Sequence, residues 1–86
     1  MDADLLQSVA EAIRSVSKRT QTMVIQADSL LVEDLSLDSL DLVGVLMKLE
    51  DRFGLVIEVD DVPQTRTVGD LGEHIAKLRS GQASAA

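Results

Sequence analysis

"EDLSLDSLDLVGVLMKLEDRFG", Glu33 to Gly54, passes from an aperiodic stretch into one with a strong helical period. Beyond Ser39, the residues Leu42, Leu46, Leu49 and Phe53 recur at spacings of four, three and four, which aligns them along one side of an α-helix. Leu40, Val43 and Met47 fall on a second strip beside that line. Asp38 is a good N-cap, and Asp41, three residues on, stands where a capping-box acid reaches back. The pattern predicts a helix from Ser39 to about Phe53, roughly 22 Å long, with Gly54 at its C′ position. Gly44 in its middle is a local weakness of about 1 kcal/mol relative to alanine. Taken alone, Ser39 is a first-turn serine behind a cap that Asp38 already supplies.

Working outward, Leu5, Leu6, Val9, Ile13 and Val16 share one side of a first helix expected from Asp4 to about Arg19, with Lys18 and Arg19 suited to its C-terminal end. Thr20 to Asp38 keeps no period and contains the turn formers "QADS". Its apolar residues Met23, Val24, Ile25, Leu30, Leu31, Val32 and Leu35 predict a long loop pinned to a core. "LVIEV", Leu55 to Val59, has strand propensity but no strong pairing partner, so it is expected as extended loop. A short turn of helix is expected around Val62. Thr67 then caps a last helix carrying Val68, Leu71, Ile75 and Leu78, with Asp70 as capping-box partner. The tail "SGQASAA" has nothing to bury and is expected to be disordered. The expected fold is therefore all-α: one domain over 1–79 with three main helices, one short helix and a long first loop, followed by a tail over 80–86.

The chain of 86 residues has room for a single modest core and little for a deep enzyme cleft. It has no cysteine, so neither disulfides nor thiolate zinc sites are available, and Phe53 is its only aromatic residue. The core must be aliphatic and pliable. The start "MDADLLQSVAEAIRS" is acidic and amphipathic, unlike a signal peptide, and no segment approaches membrane-spanning length; a cytoplasmic monomer is expected. The net charge of -7 argues against nucleic acid and anionic lipid as partners. That charge is concentrated: Asp28 to Asp61 holds ten acids and two bases, while the remainder holds five acids and six bases. Such concentration suits a docking face. Leu40, Val43 and Met47, bordered by Asp41, Glu50 and Asp51, would receive a partner presenting an apolar notch ringed by Lys and Arg.

"DLSLDSLDLVGVLMKLEDRFG" followed by "VDDVPQTRTVGDLGEHI" resembles the acyl carrier protein family. The likeness rests on Asp38, Ser39 and Leu40 at the start of an apolar and acidic helix that ends in Glu50 and Phe53, on Asp41, Val43, Met47, Leu49 and Ile57, and on the Thr67-Val68 start of the last helix. It runs from about Ile25 to Leu78. The resemblance implies a four-helix carrier that is not an enzyme. A phosphopantetheinyl transferase would attach the 4′-phosphopantetheine arm of coenzyme A to the Ser39 hydroxyl, and the arm's thiol would hold acyl groups as thioesters. Asp38 would help hold magnesium during arm transfer. Partner enzymes for acyl loading and transfer would bring basic docking surfaces, and Leu46, Met47 and Val62 would line an acyl pocket. A first-turn serine suits this role physically, because a phosphodiester there meets free amides and the positive end of the helix dipole.

Departures from the family pattern point beyond the general fatty-acid carrier. Ser36 replaces a usual Gly, Gly44 replaces a Glu that meets partners, Glu58 replaces a Pro, and Lys48 and Arg52 add positive charge. A specialised carrier for a polyketide, an unusual lipid or an amino acid is at least as well supported. The alternatives are an aminoacyl or peptidyl carrier, against which the acidity around Asp38 weighs, and an unmodified helical docking module. His74 lacks neighbouring ligands and receives no role. Asp60-Asp61 and Glu50-Asp51 lack the spacing of a calcium loop.

Overall fold

The computed structural model of the chain describes residues 2–57 and 65–85, with side chains as far as Arg79. Three α-helices, α1 (Ala3–Val16), α2 (Ser39–Phe53) and α3 (Val68–Ala85), pack around an aliphatic core, and among the described residues there is no strand. The all-α expectation is met. The short helix expected around Val62 lies outside the described residues, and the segment Leu55 to Ile57 is irregular backbone, as read.

Asp2 caps α1 by accepting the Asp4 amide at 3.0 Å. The helix buries Leu5, Val9, Ala10, Ala12 and Ile13. It ends at Val16, three residues before the expected Arg19, because Ser17 turns to extended backbone at φ -113° and ψ 110°. Lys18 and Arg19 belong instead to a 3-10 turn, Lys18–Thr22. The wholly buried Thr20 is satisfied there, donating its hydroxyl to the Ser17 carbonyl at 2.7 Å.

The expected bounds of α2 are those observed. The capping box forms reciprocally: Asp41 N–H donates to Asp38 Oδ1 at 2.8 Å and Asp38 N–H to Asp41 Oδ2 at 3.2 Å. Gly54 ends the helix in the left-handed region, at φ 64° and ψ 41°, where a Cβ would be strained. The buried side consists of Val45, Leu46 and Leu49, flanked by half-buried Leu42 and Phe53, so Val45 joins the expected line. Gly44 has a packing reason. A Cβ there would lie 3.1 Å from Val16 Cγ1, so the missing side chain lets α1 approach α2 closely.

The first loop is pinned by Ile25, Leu31, Leu35 and Leu37, all buried, whereas Val24 and Val32 are exposed. Leu35 and Leu37 both point inward because Ser36 between them adopts φ 57°, a left-handed conformation that costs an L-residue about 1–2 kcal/mol. The loop then pairs with the start of α3. Leu31 N–H donates to Arg66 O, Val68 N–H to Ser29 O and Gly69 N–H to Ala27 O, at 2.7 to 3.0 Å. Thr67 and Asp70 form the expected capping box of α3, with Asp70 N–H on Thr67 Oγ1 and Thr67 N–H on Asp70 Oδ2. Val68, Leu71 and Ile75 are buried and Leu78 is half-buried. Helical backbone continues to Ala85, through most of the segment expected as a tail beyond residue 79. The segment contains Gly81 but no proline, and its alanines favour helix.

Candidate functional site

Ser39 is the first residue of α2 and is exposed. Asp38 O accepts the Leu42 amide and Asp38 Oδ1 takes the Asp41 amide. The amides of Ser39 and Leu40 have no intrahelical acceptor, so they remain at the helix end beside the serine hydroxyl. An anionic group esterified at Ser39 Oγ meets these donors and the positive end of the helix dipole. Its attachment requires no rearrangement of the fold, because no other structure covers the hydroxyl. The residues present therefore fit a phosphate-linked prosthetic group.

Beside Ser39, Leu40 is 83% exposed, Val43 42% and Met47 61%, an unbroken apolar strip along the outer side of α2. The acids around it differ in availability. Asp51 is exposed and Asp41 spends one oxygen on the capping box. Glu50 is half-buried, and its Oε2 accepts the Ile57 amide at 3.0 Å. This bond ties the chain leaving α2 back to its last turn and commits a carboxylate that the sequence placed on the docking face. Of the two bases on α2, Arg52 is held by Glu11 of α1 at 2.9 Å, while Lys48 is exposed.

Asp38 Oδ2 accepts no hydrogen bond among the described residues. Among the described residues no group of three His, Cys, Asp or Glu side chains gathers to hold a metal, so magnesium at Asp38 would need its other ligands from phosphate and water. Leu46 lies in the core at 6% exposure and Met47 faces outward, so these neighbours stand on different sides of α2; Val62, the third expected pocket residue, lies outside the described residues. His74, on α3, lies away from the acidic start of α2 in sequence and is half-buried. Among the described residues Asp70 is the one carboxyl with a clear displacement: amide donation from Arg66, then from Thr67, holds it below the usual carboxylate range. Among the described residues no helix is long and apolar enough to cross a membrane.

The role of Glu50 was not legible in the sequence, since a side chain bonding an amide seven residues on has no local signature. Val45 was legible in principle: it lies one turn before Leu49, on the buried side.

Comparison with known proteins gives the family. The family model described as "Phosphopantetheine attachment site" matches residues 7–75, which take in most of α1, all of α2 and the start of α3. The acyl carrier protein of Chlamydia trachomatis serovar D is 47% identical over 56 residues, covering 65% of this chain and 73% of the relative. The meromycolate extension acyl carrier protein of Mycobacterium leprae is 32% identical over 83 residues, 96% of this chain and 71% of the relative. That of Mycolicibacterium aurum is 34% identical over 83 residues, 96% of this chain and 84% of the relative. With its three-helix core, exposed first-turn serine and apolar, acid-bordered α2, the chain belongs to the acyl carrier protein family, whose members are carriers rather than enzymes and bear acyl groups on a covalent 4′-phosphopantetheine.

Proposed function

We propose that Ser39 is the residue that bears the arm, and that α2 is the surface on which partner enzymes dock. The observation that carries this reading is the placement of an exposed serine hydroxyl at the first position of a helix whose first two amides have no intrahelical acceptor, next to an exposed apolar strip. The Ser39 oxygen attacks the pantetheine-bearing phosphorus of coenzyme A, forming the phosphodiester as the pyrophosphate P–O bond breaks and adenosine 3′,5′-bisphosphate leaves, and the serine proton passes to a base of the transferase. Asp38, whose Oδ1 takes the Asp41 amide, would offer its other carboxylate oxygen to a magnesium ion accompanying coenzyme A. Once attached, the arm supplies a thiol that holds the acyl group as a thioester. The chain's own contribution is then to present Ser39 on a rigid, doubly capped helix end and to bring it to each enzyme through Leu40, Val43 and Met47.

Among the acids, Asp51 and the free oxygens of Asp38 and Asp41 steer basic partners, while Glu50 serves the fold. The partners are a phosphopantetheinyl transferase and the enzymes that load and use acyl chains, acting in the cytoplasm. Relatives that align over nearly the whole chain are named for meromycolate extension, which supports a dedicated lipid-chain cargo over an amino acid. Replacing Ser39 with Ala tests the assignment. The variant is expected to melt at the parent temperature yet to support no partner-dependent acyl transfer. Retained transfer in Ser39→Ala would move the attachment elsewhere.

A further inference from the structure

Met47 stands on the exposed strip of α2 at 61% exposure, with Val43 one turn before it and Asp51 one turn after. Side chains of a helix lean toward its N-terminus, so the thioether lies over the turn that holds Val43 and Gly44. Gly44 has no side chain to set against it. Glu50, three residues on, is placed to lean back over the sulfur from the other side, but its Oε2 is drawn to the Ile57 amide at 3.0 Å. The chain's only ring, Phe53, flanks the buried side of α2 and has Arg79 over it at 5.2 Å, so no aromatic contact shelters the thioether. The chain has three methionines and no cysteine, which makes thioethers its only oxidisable sulfur. Met23, by contrast, is half-buried and packs against the core, and Met1 lies outside the described residues.

An accessible thioether reacts with hydroperoxides. Its sulfur lone pair takes one peroxide oxygen, the O–O bond breaks as the S–O bond forms, and the remaining oxygen leaves, protonated, as water or an alcohol. Sulfur is oxidised by two electrons and the peroxide is reduced by two. The sulfoxide is reversible: a reductase returns the thioether, its oxygen leaving as water while two thiols close to a disulfide. On the outer side of α2 the new oxygen disturbs no core packing and keeps its water. Beneath a docked enzyme it must give up that water in an apolar contact that offers no donor.

We propose that Met47 is a reversible oxidation site for hydroperoxides, and that its sulfoxide weakens the docking of partner enzymes on α2 while leaving the fold and Ser39 intact. Oxidation stands on the exposure of the sulfur; its effect on docking rests on the carrier reading. The test treats the full, unarmed chain with hydrogen peroxide, which catalase then removes. Peptide mass mapping follows sulfoxide at each methionine, thermal melting follows the fold, and arming by a promiscuous phosphopantetheinyl transferase gives kcat and KM for the chain. The expected result is faster oxidation at Met47 than at Met23, an unchanged melt, and a KM raised about ten-fold at constant kcat. A methionine sulfoxide reductase with dithiothreitol should restore the KM. Peroxide should leave the KM of Met47→Leu at that variant's own untreated value. Oxidation of Met23 as fast as Met47, an unmoved KM in the chain oxidised at Met47, or an equal rise in treated Met47→Leu would overturn the proposal. Failure of the carrier reading is seen separately, as an untreated parent that takes no arm, and the oxidation rates are read without the transferase.

Discussion

Ser36 shows how far one residue can be read. Its departure from a family glycine was visible in the sequence, but the reason glycine belongs there appears only in the backbone, where φ is 57° between two buried leucines. Replacing Ser36 with Gly is expected to stabilise the fold by about 0.5–1 kcal/mol, the relief of left-handed strain less the added freedom of the unfolded chain. In a thermal melt that is a rise of up to about 8 °C. Glu50 illustrates the opposite case, a residue whose sequence context suggested docking and whose carboxylate bonds the Ile57 amide. Glu50→Ala should cost about 1–3 kcal/mol by stranding that donor, and Glu50→Gln should recover most of the loss. Asp51→Asn should leave stability in urea denaturation unchanged while weakening partner binding.

At the scale of the element, legibility followed the caps. The ends of α2 and the start of α3 were readable because Asp38, Asp41, Gly54, Thr67 and Asp70 carry their own boundary chemistry. The end of α1 was not, since Ser17 breaks the helix without glycine or proline and the basic residues beyond it mimic a helix end. The inward and outward residues of the first loop were also hidden, because they depend on its pairing with α3 across a long separation in sequence. Removing the α2 cap with Asp38→Ala is expected to cost about 1 kcal/mol in chemical denaturation. Gly44→Ala should fail to deliver the gain of about 1 kcal/mol that helix propensity alone promises, because Val16 occupies the space. The double variant Gly44→Ala/Val16→Ala should show favourable coupling between the two sites.

For the whole molecule, charge dominates. Ten acids against two bases between Asp28 and Asp61 concentrate negative charge around Ser39, a field that would steer a basic partner there on the reading proposed above. Partner affinity should fall as sodium chloride is raised, and an affinity independent of salt would exclude charge-steered docking. Acid stability follows from Asp70. Its folded pKa lies below the ordinary value, through the Arg66 and Thr67 amides, so its contribution is present above that value, about 4, and is lost as pH falls through it toward the folded pKa. Asp70→Asn should therefore lose stability at neutral pH and show a shallower decline in denaturation midpoint on acidification.

Arm attachment at Ser39 is the claim on which the function rests, and intact mass tests it most directly. The folded chain and its Ser39→Ala variant would be incubated with coenzyme A, magnesium and a promiscuous phosphopantetheinyl transferase, beside a control carrier. The predicted result is a gain of one phosphopantetheine arm in the parent and none in the variant. An unchanged parent mass while the control is armed, or an equal gain in Ser39→Ala, would contradict it.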